Sequence, residues 1–225
     1  MSSAAALLDR LGRPGQLRLG TTLSRPAPPL PTGLVDLDEA LGGGLPRGRV
    51  SEITGARSHG RTGLACRIAA SATRAGETIA WIDPEDALDP EAAAGAGMAL
   101  GRTLWVRPRA QDEAARATEI VLGAGGFGLV VLDLGDGARL PGVRAVWPRL
   151  VRAAEQTRTA LLVASARSAA GASAAVGLAV TGRRVRWSGG RGRLVLLDGL
   201  DARITVVRSR VGRPGAACVV RQACA

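Results

Sequence analysis

The 225-residue sequence contains no lysine, no asparagine and no tyrosine, and it has one phenylalanine and one histidine. The absence of lysine excludes Schiff-base chemistry, a lysine general base and the lysine that phosphate-binding loops ordinarily use. No apolar run reaches the roughly 20 residues that a membrane-spanning helix needs. The first residues carry no basic segment ahead of an apolar stretch, so we expect neither a secretory signal nor a membrane partner.

Cysteine is also scarce. Cys66, Cys218 and Cys224 are widely spaced and odd in number, and they form no CxxC pair. This pattern indicates reduced thiols in a cytoplasmic protein and predicts no metal site. Because hydrophobic residues make up 46% of the chain, we expect a folded domain with its own core.

The positive charge is carried by arginine alone and is unevenly spread. Residues 1–137 hold 14 arginines and 16 acidic residues, whereas residues 138–225 hold 16 arginines and three acidic residues. Two interpretations stay open: a surface for DNA or an acidic partner, or a solvated basic face. Under the first interpretation, the predicted contact residues are Arg183, Arg184, Arg186, Arg191, Arg193, Arg208 and Arg210. Trp187 lies among them, either to stack on a base or to anchor the strands.

The chain divides into three parts. Residues 1–31 predict a short helix and a proline-rich arm, and Ala5, Leu8 and Leu11 lie on one face of that helix as a surface for self-association. Residues 32–177 predict an α/β core. Residues 178–225 predict arginine-rich antiparallel edge strands of the same domain, at 178–187, 193–198, 203–208 and 217–221, separated by glycine or aspartate turns.

Strands and helices alternate regularly through the predicted core. Strands are predicted at 49–54, 78–82, 103–107, 129–133 and 159–164. Helices of about 10 to 15 residues are predicted between these strands, which is typical of βαβ units. The strands read as continuous apolar runs, as strands buried on both faces do. The predicted fold class is therefore a mostly parallel sheet flanked by helices, with an antiparallel C-terminal extension.

One motif carries phosphate chemistry. Residues 55–62 fit the pattern G-x-x-x-x-G-[K/R]-[S/T] through Gly55, Gly60, Arg61 and Thr62, between a predicted strand and a predicted helix. In such a loop, backbone N–H groups and the helix N-terminus hold phosphate, and the hydroxyl holds Mg²⁺. Arg61 stands where lysine is usual, and its planar fork does not replace a compact ammonium.

Two carboxylates complete this predicted site. Asp133 ends an apolar strand, as an aspartate that orients Mg²⁺ does, and Glu85 follows a neighbouring strand, where a carboxylate can activate water. Taken singly, Asp133 is better explained as the end of a strand, and Glu85 as a solvated loop residue. Together with the loop they indicate a nucleotide-binding ancestry.

Residues 32–41, 44–53, 55–62 and 82–90 resemble segments of RecA, and the last two of these are in the right order and separation. The resemblance covers about 15–135 and implies a RecA-like core of the P-loop NTPase type. It assigns Glu85 to the catalytic glutamate and Asp133 to the Mg²⁺-site aspartate.

The sequence also departs from RecA at functional positions. Arg61 replaces the lysine, and Ala92 replaces the aromatic residue that stacks on adenine. The glutamine with which RecA senses the γ-phosphate would fall near Ala166. The segment after Asp133 is too short for the first DNA loop of RecA, and residues 168–177, small and nearly uncharged, would correspond to the second. These departures predict a vestigial nucleotide site, no bound ATP cofactor and no ATPase activity.

The small size and residues 197–214 resemble the ImuA family, the RecA-like members of the damage-induced mutagenesis cassette. The resemblance implies a non-enzymatic accessory role in SOS-induced translesion DNA synthesis. The implied partners are RecA and ImuB directly and an error-prone DnaE-type polymerase indirectly. Weak non-specific DNA binding and homo-oligomers are further expectations.

Two alternative functions stay open. The first is an active RecA-type DNA-dependent ATPase or recombinase, which Glu85, Thr62 and Asp133 favour and Arg61 opposes. The second is a SulA-like inhibitor of cell division, which is supported only by the grouping of that family with ImuA.

Overall fold

A computed structural model describes residues 27–136, 143–190 and 195–223. The helices in these ranges are α1 (Val35–Leu41), α2 (Arg61–Arg74), α3 (Pro90–Gly95), α4 (Gln111–Ala124) and α5 (Val143–Thr157). The strands are β1 (Val50–Thr54), β2 (Ile79–Ile82), β3 (Thr103–Val106), β4 (Leu129–Asp133), β5 (Ala160–Ser165), β6 (Ala174–Ser188), β7 (Leu196–Ser209) and β8 (Ala217–Ala223). Short 3-10 turns cover Leu100–Arg102 and Gly171–Ser173.

The strands form one mixed sheet in the order β3-β2-β4-β5-β1-β6-β7-β8. The first six strands in this order run parallel, and β7 and β8 add to the edge as antiparallel neighbours. The predicted fold class is therefore confirmed. Within the described ranges, no helix is long and apolar enough to cross a membrane.

Helices cover the parallel part of the sheet on both faces. Trp81, fully buried, packs in the cluster that joins the sheet to α1 and α2, and Trp147 packs in the cluster beneath α4 and α5. This two-sided cover explains why β2, β4 and β5 are apolar at nearly every position. Trp105 is only half-buried, because β3 forms the edge of the sheet.

The C-terminal strands are longer than the sequence predicts. A single strand, β7, replaces two predicted strands and the turn between them. The ladder between β6 and β7 shifts register beside Arg186, which pairs with Gly199. The glycine that suggested a turn therefore lies at an irregularity within a continuous strand, a position where glycine is common.

The connection between β5 and β6 is fixed from two sides. Buried Glu52 of β1 accepts hydrogen bonds from the Ser168 hydroxyl (2.8 Å) and from the backbone N–H groups of Ala169 and Ala170 (2.9 Å for Ala170). On the other side, Arg208 donates to the Gly171 carbonyl and Arg210 to the Ala172 carbonyl (2.9 Å). The segment expected to correspond to a DNA loop is thus a pinned turn followed by a strand.

We predict that Glu52→Ala lowers the free energy of unfolding by about 2–4 kcal/mol, because two buried N–H groups lose their acceptor. Urea denaturation followed by circular dichroism measures this change. The matched control is Glu155→Ala, which breaks an exposed ion pair with Arg49 and is expected to cost less than about 1 kcal/mol. Equal effects of the two substitutions would contradict the role assigned to Glu52.

Candidate functional site

The predicted site residues meet at one end of the parallel sheet. A cavity of about 480 Å³ lies where the carboxyl ends of β2 and β4 face the N-terminus of α2. It is lined by Gly60, Arg61, Thr62, Glu85 and Asp133, with contributions from Ala56, Arg57, Ser58, Gly63, Asp83, Ala87, Gly135 and Asp136. The carboxyl ends of parallel strands are the usual position for ligands in this class of sheet.

The loop before α2 has the backbone that a phosphate cradle needs. Gly60, the residue before the helix, has φ +92°, and Ser58 also has a positive φ of 60°. At Gly55, a Cβ atom would lie 3.0 Å from the Val180 carbonyl oxygen of β6, so a larger residue would require the two backbones to move apart by a few tenths of an ångström. The helix N-terminus therefore faces the cavity, as in phosphate-binding loops.

Arg61 does not extend into open space. Its side chain is only 8% exposed, and its Nη1 donates to the Gly55 carbonyl at 2.8 Å. Both Nη1 and Nη2 donate to Oδ1 of Asp136 at 3.1 Å. The guanidinium is therefore held inside the loop by an ion pair within the protein.

Asp136 is the functional residue that sequence reasoning missed. It lies three residues after Asp133, and its Oδ2 is 3.7 Å from Nε of Arg57, so two arginines of the loop face one carboxylate. The signal was present in the run Asp-Leu-Gly-Asp at residues 133–136. The resemblance to RecA assigns roles to Glu85 and Asp133 but none to Asp136.

The opposite wall of the cavity is acidic. Asp133 is buried and accepts a hydrogen bond from the Gly135 N–H at 3.1 Å. Burial raises the pKa of Asp133 above its usual range; the Gly135 N–H and Arg61 partly offset this rise, whereas the charges of Asp83 and Glu85 add to it. In the protein, Asp133 thus holds its proton more strongly than a solvated aspartate does.

Asp83 has a structural role beside the cavity. Its carboxylate accepts hydrogen bonds from the N–H groups of Ala87 (3.1 Å) and Leu88 (2.9 Å) and from Nε1 of Trp105 (3.3 Å). These bonds shape the loop that carries Glu85, whose carboxylate lies against Gly135. Glu85 and Asp133 therefore both lie beside Gly135, on the same acidic wall of the cavity.

The side chain at the lysine position of the loop is already paired within the protein. Both terminal nitrogens of Arg61 face the Asp136 carboxylate. Four acidic side chains and two arginines line the cavity.

A second cleft, of about 720 Å³, adjoins the first along α2 and α3 and shares Thr62 and Gly63 with it. Ala92 lies on its wall. The side chain there is therefore a methyl group, whereas the resemblance to RecA predicts an aromatic ring. Cys66 also lines the cleft. Burial first, and the charge of Asp133 second, raise the pKa of this thiol to about 12, so it stays protonated.

The predicted arginine cluster is partly used within the protein. Arg184 is exposed, but Nε of Arg186 is 3.2 Å from Asp201, and Arg208 and Arg210 bind the turn at 171–172. Trp187 is 60% exposed, so it does not serve as a buried anchor. The side chain of Arg183 and the residues Arg191, Arg193, Ala5, Leu8 and Leu11 lie outside the part of the chain that is described.

We predict that Asp133→Asn raises the melting temperature at pH 8, because it removes a buried carboxylate whose charged form is disfavoured. The raised pKa in the folded protein stabilises the wild type only at low pH, and this contribution is lost as the pH rises through that pKa. The difference in melting temperature between the variant and the wild type should therefore become smaller as the pH falls toward the ordinary carboxyl pKa, near 4. Thermal unfolding of both proteins between pH 4 and pH 8 measures this difference. A difference that does not change with pH would contradict the prediction.

Comparison with known proteins identifies relatives of the N-terminal part of the chain. The family described as RecA N-terminal domain matches residues 2–141. Protein RecA of Pseudarthrobacter chlorophenolicus is 41% identical over 135 residues, which are 59% of this chain and 38% of that protein. Protein RecA of Clavibacter michiganensis subsp. michiganensis is 42% identical over 135 residues, 59% of this chain and 37% of that protein. The chain thus matches less than two fifths of the length of these relatives.

The fold has a solved counterpart. The crystal structure of the RadB recombinase aligns with a TM-score of 0.63 over 85% of this chain and 95% of that chain, at 19% identity. At this identity the likeness shows a shared fold. The family match covers more than half of the chain, and it includes the loop at 55–62 and Asp133. The resemblance to RecA is therefore confirmed, and the chain belongs to the RecA family.

Proposed function

We propose that this protein is a non-hydrolysing accessory member of the RecA family that acts in mutagenic translesion DNA synthesis, as the ImuA family does. The observation that carries the proposal is the buried Arg61 guanidinium, which is paired with Asp136 at the position where phosphate would bind. A protein with this site acts by binding partners rather than by turnover.

Hydrolysis of ATP depends on charge stabilisation that this site lacks. The ammonium that would reach the β- and γ-phosphates is replaced by a guanidinium bound to Gly55 and Asp136. Losing such a preorganised contact removes several kcal/mol of transition-state stabilisation, on the order of 3 kcal/mol for each donor lost. The acidic wall adds repulsion to that loss.

The DNA-binding segments expected of a recombinase are also reduced. Nine residues separate Asp133 from Val143, the first residue of α5, and the connection from β5 to β6 is pinned by Glu52, Arg208 and Arg210. These features favour a regulatory role over strand exchange. The placement in mutagenesis rests on the resemblance of residues 197–214 to ImuA, with RecA and ImuB as direct partners and a DnaE-type polymerase as an indirect one.

A second candidate is an active RecA-type ATPase, favoured by one observation. Thr62, Glu85 and Asp133 surround a single cavity, so the metal-orienting and water-activating positions are both filled by suitable residues. In this candidate, nucleotide binding displaces Asp136 from Arg61. The two functions differ in whether the wild-type chain turns over ATP.

We predict no ATP turnover by the wild-type protein above the rate in its absence, with Mg²⁺ and with or without single-stranded DNA. A phosphate-release assay measures it, with an active RecA protein as positive control. Turnover that Glu85→Gln abolishes would sink the proposal in favour of the second candidate.

A matched set of variants locates the defect. We expect a fluorescent ATP analogue to bind the double variant Arg61→Lys with Asp136→Ala and not the wild type, because the double variant restores an ammonium and removes the internal anion. Arg61→Lys alone should bind weakly, since Asp136 then pairs with the new lysine. Binding by the wild type as strong as by the double variant would show that the site is open.

For DNA, we predict weak, sequence-independent binding that weakens with salt, with a slope of about −0.7 per phosphate contacted on single strands. Arg184→Glu should reduce this binding, whereas Arg116→Glu, an exposed arginine on α4, should not. Fluorescence polarisation with a labelled oligonucleotide measures both variants. Loss of RecA or ImuB binding in Arg184→Glu, with unchanged DNA affinity, would assign this basic surface to a protein partner.

A further inference from the structure

The loop at 55–62 holds an anion that belongs to the protein itself. Oδ1 of Asp136 accepts from both terminal nitrogens of Arg61 at 3.1 Å, and Oδ2 lies 3.7 Å from Nε of Arg57. One carboxylate is therefore bound by two arginines of the same loop. Arginine side chains contact the oxygens of a ligand phosphate in the same way.

Arg61 depends on this carboxylate. Its side chain is 8% exposed, so its charge is almost removed from water, and a buried charge without a counter-ion is strongly destabilising. Its Nε is also buried and has no hydrogen-bond partner among the described residues. Asp136 supplies the counter-charge but leaves one donor unsatisfied, so the cradle still has capacity for a further oxygen atom.

The segment that presents Asp136 is itself fixed. The Leu134 N–H donates to the Ala164 carbonyl at 2.8 Å, and the Ala166 N–H donates to the Gly135 carbonyl at 3.1 Å. These bonds join the ends of β4 and β5 and fix the position of the backbone just before Asp136. Its side chain is 40% exposed, which leaves the ion pair accessible to small ions from solvent.

We propose that the Asp136 carboxylate is a built-in replacement for a ligand phosphate, which fills the anion position of the loop and holds the end of β4 against the N-terminus of α2 without a nucleotide. Removal of this carboxylate opens the position to a free inorganic oxyanion. The inference rests on the proposed function in treating the site as one that does not bind ATP.

Chemical rescue tests this inference. The full-length chain and its Asp136→Ala variant are melted at pH 7.5 in about 50 mM sodium phosphate and in sodium chloride of equal ionic strength. In chloride, the variant should melt about 5 °C below the wild type, because Arg61 has lost its counter-ion. Phosphate should restore most of that loss in the variant and change the melting temperature of the wild type by less than about 1 °C.

Two controls separate this effect from general salt effects. Glu155→Ala breaks an exposed ion pair with Arg49, and it should neither lower the melting temperature by as much nor respond to phosphate more than the wild type does. Adding Arg61→Met to Asp136→Ala should remove most of the phosphate response, because Arg61 is the buried cationic ligand and the remaining Arg57 is exposed. A phosphate response of undiminished size in this double variant would overturn the inference.

The remaining outcomes are also decisive. Asp136→Ala with wild-type stability, or wild-type protein stabilised by phosphate as much as the variant, would overturn the inference. If Asp136→Ala folds only in phosphate, the inference is supported; if neither it nor Asp136→Asn folds in phosphate, it fails. The failure of this inference can be told apart from the failure of the proposed function. ATP turnover by the wild type would contradict the proposed function, whatever effect phosphate has on the Asp136→Ala variant.

Discussion

A guanidinium buried at the mouth of a phosphate-binding loop must have an anion beside it, and in this protein the anion is the carboxylate of Asp136. The pair between Arg61 and Asp136 joins the N-terminus of α2 to the segment that follows β4. The rest of the site is consistent with this arrangement: the backbone of the cradle is kept, while its charge is balanced internally.

The same principle applies to the basic half of the chain. Several arginines that composition alone would assign to an external partner are bound within the fold. Arg208 and Arg210 satisfy carbonyl groups of the turn before β6, and Arg186 faces Asp201 across the ladder. The chain has no lysine, so arginine is the long cationic side chain that can donate hydrogen bonds to the carbonyl groups of its turns. The planar guanidinium suits this role because it can reach several acceptors at once. Arg208 and Arg210 nevertheless stay exposed to solvent, as Arg184 does.

The parallel part of the sheet could be predicted from sequence because strands buried on both faces give continuous apolar runs, and Asp133 and Glu85 follow such runs directly. The loop at 55–62 could be found because its glycine spacing reflects backbone geometry. Asp136 and Glu52 could not, because each acts through contacts with residues far away in the chain: Asp136 with Arg61, and Glu52 with the turn at 168–170. The continuity of β7 was missed because a glycine in a strand irregularity and a glycine in a turn look alike locally.

The central claim is that Arg61 and Asp136 stabilise each other in the folded protein. A double-mutant cycle measures this interaction most directly, with urea unfolding of the wild type, Arg61→Met, Asp136→Ala and the double variant. The account predicts a coupling free energy of about 1–3 kcal/mol, so that the double variant is less destabilised than the sum of the single variants. Additive effects, with a coupling within about 0.3 kcal/mol of zero, would contradict it.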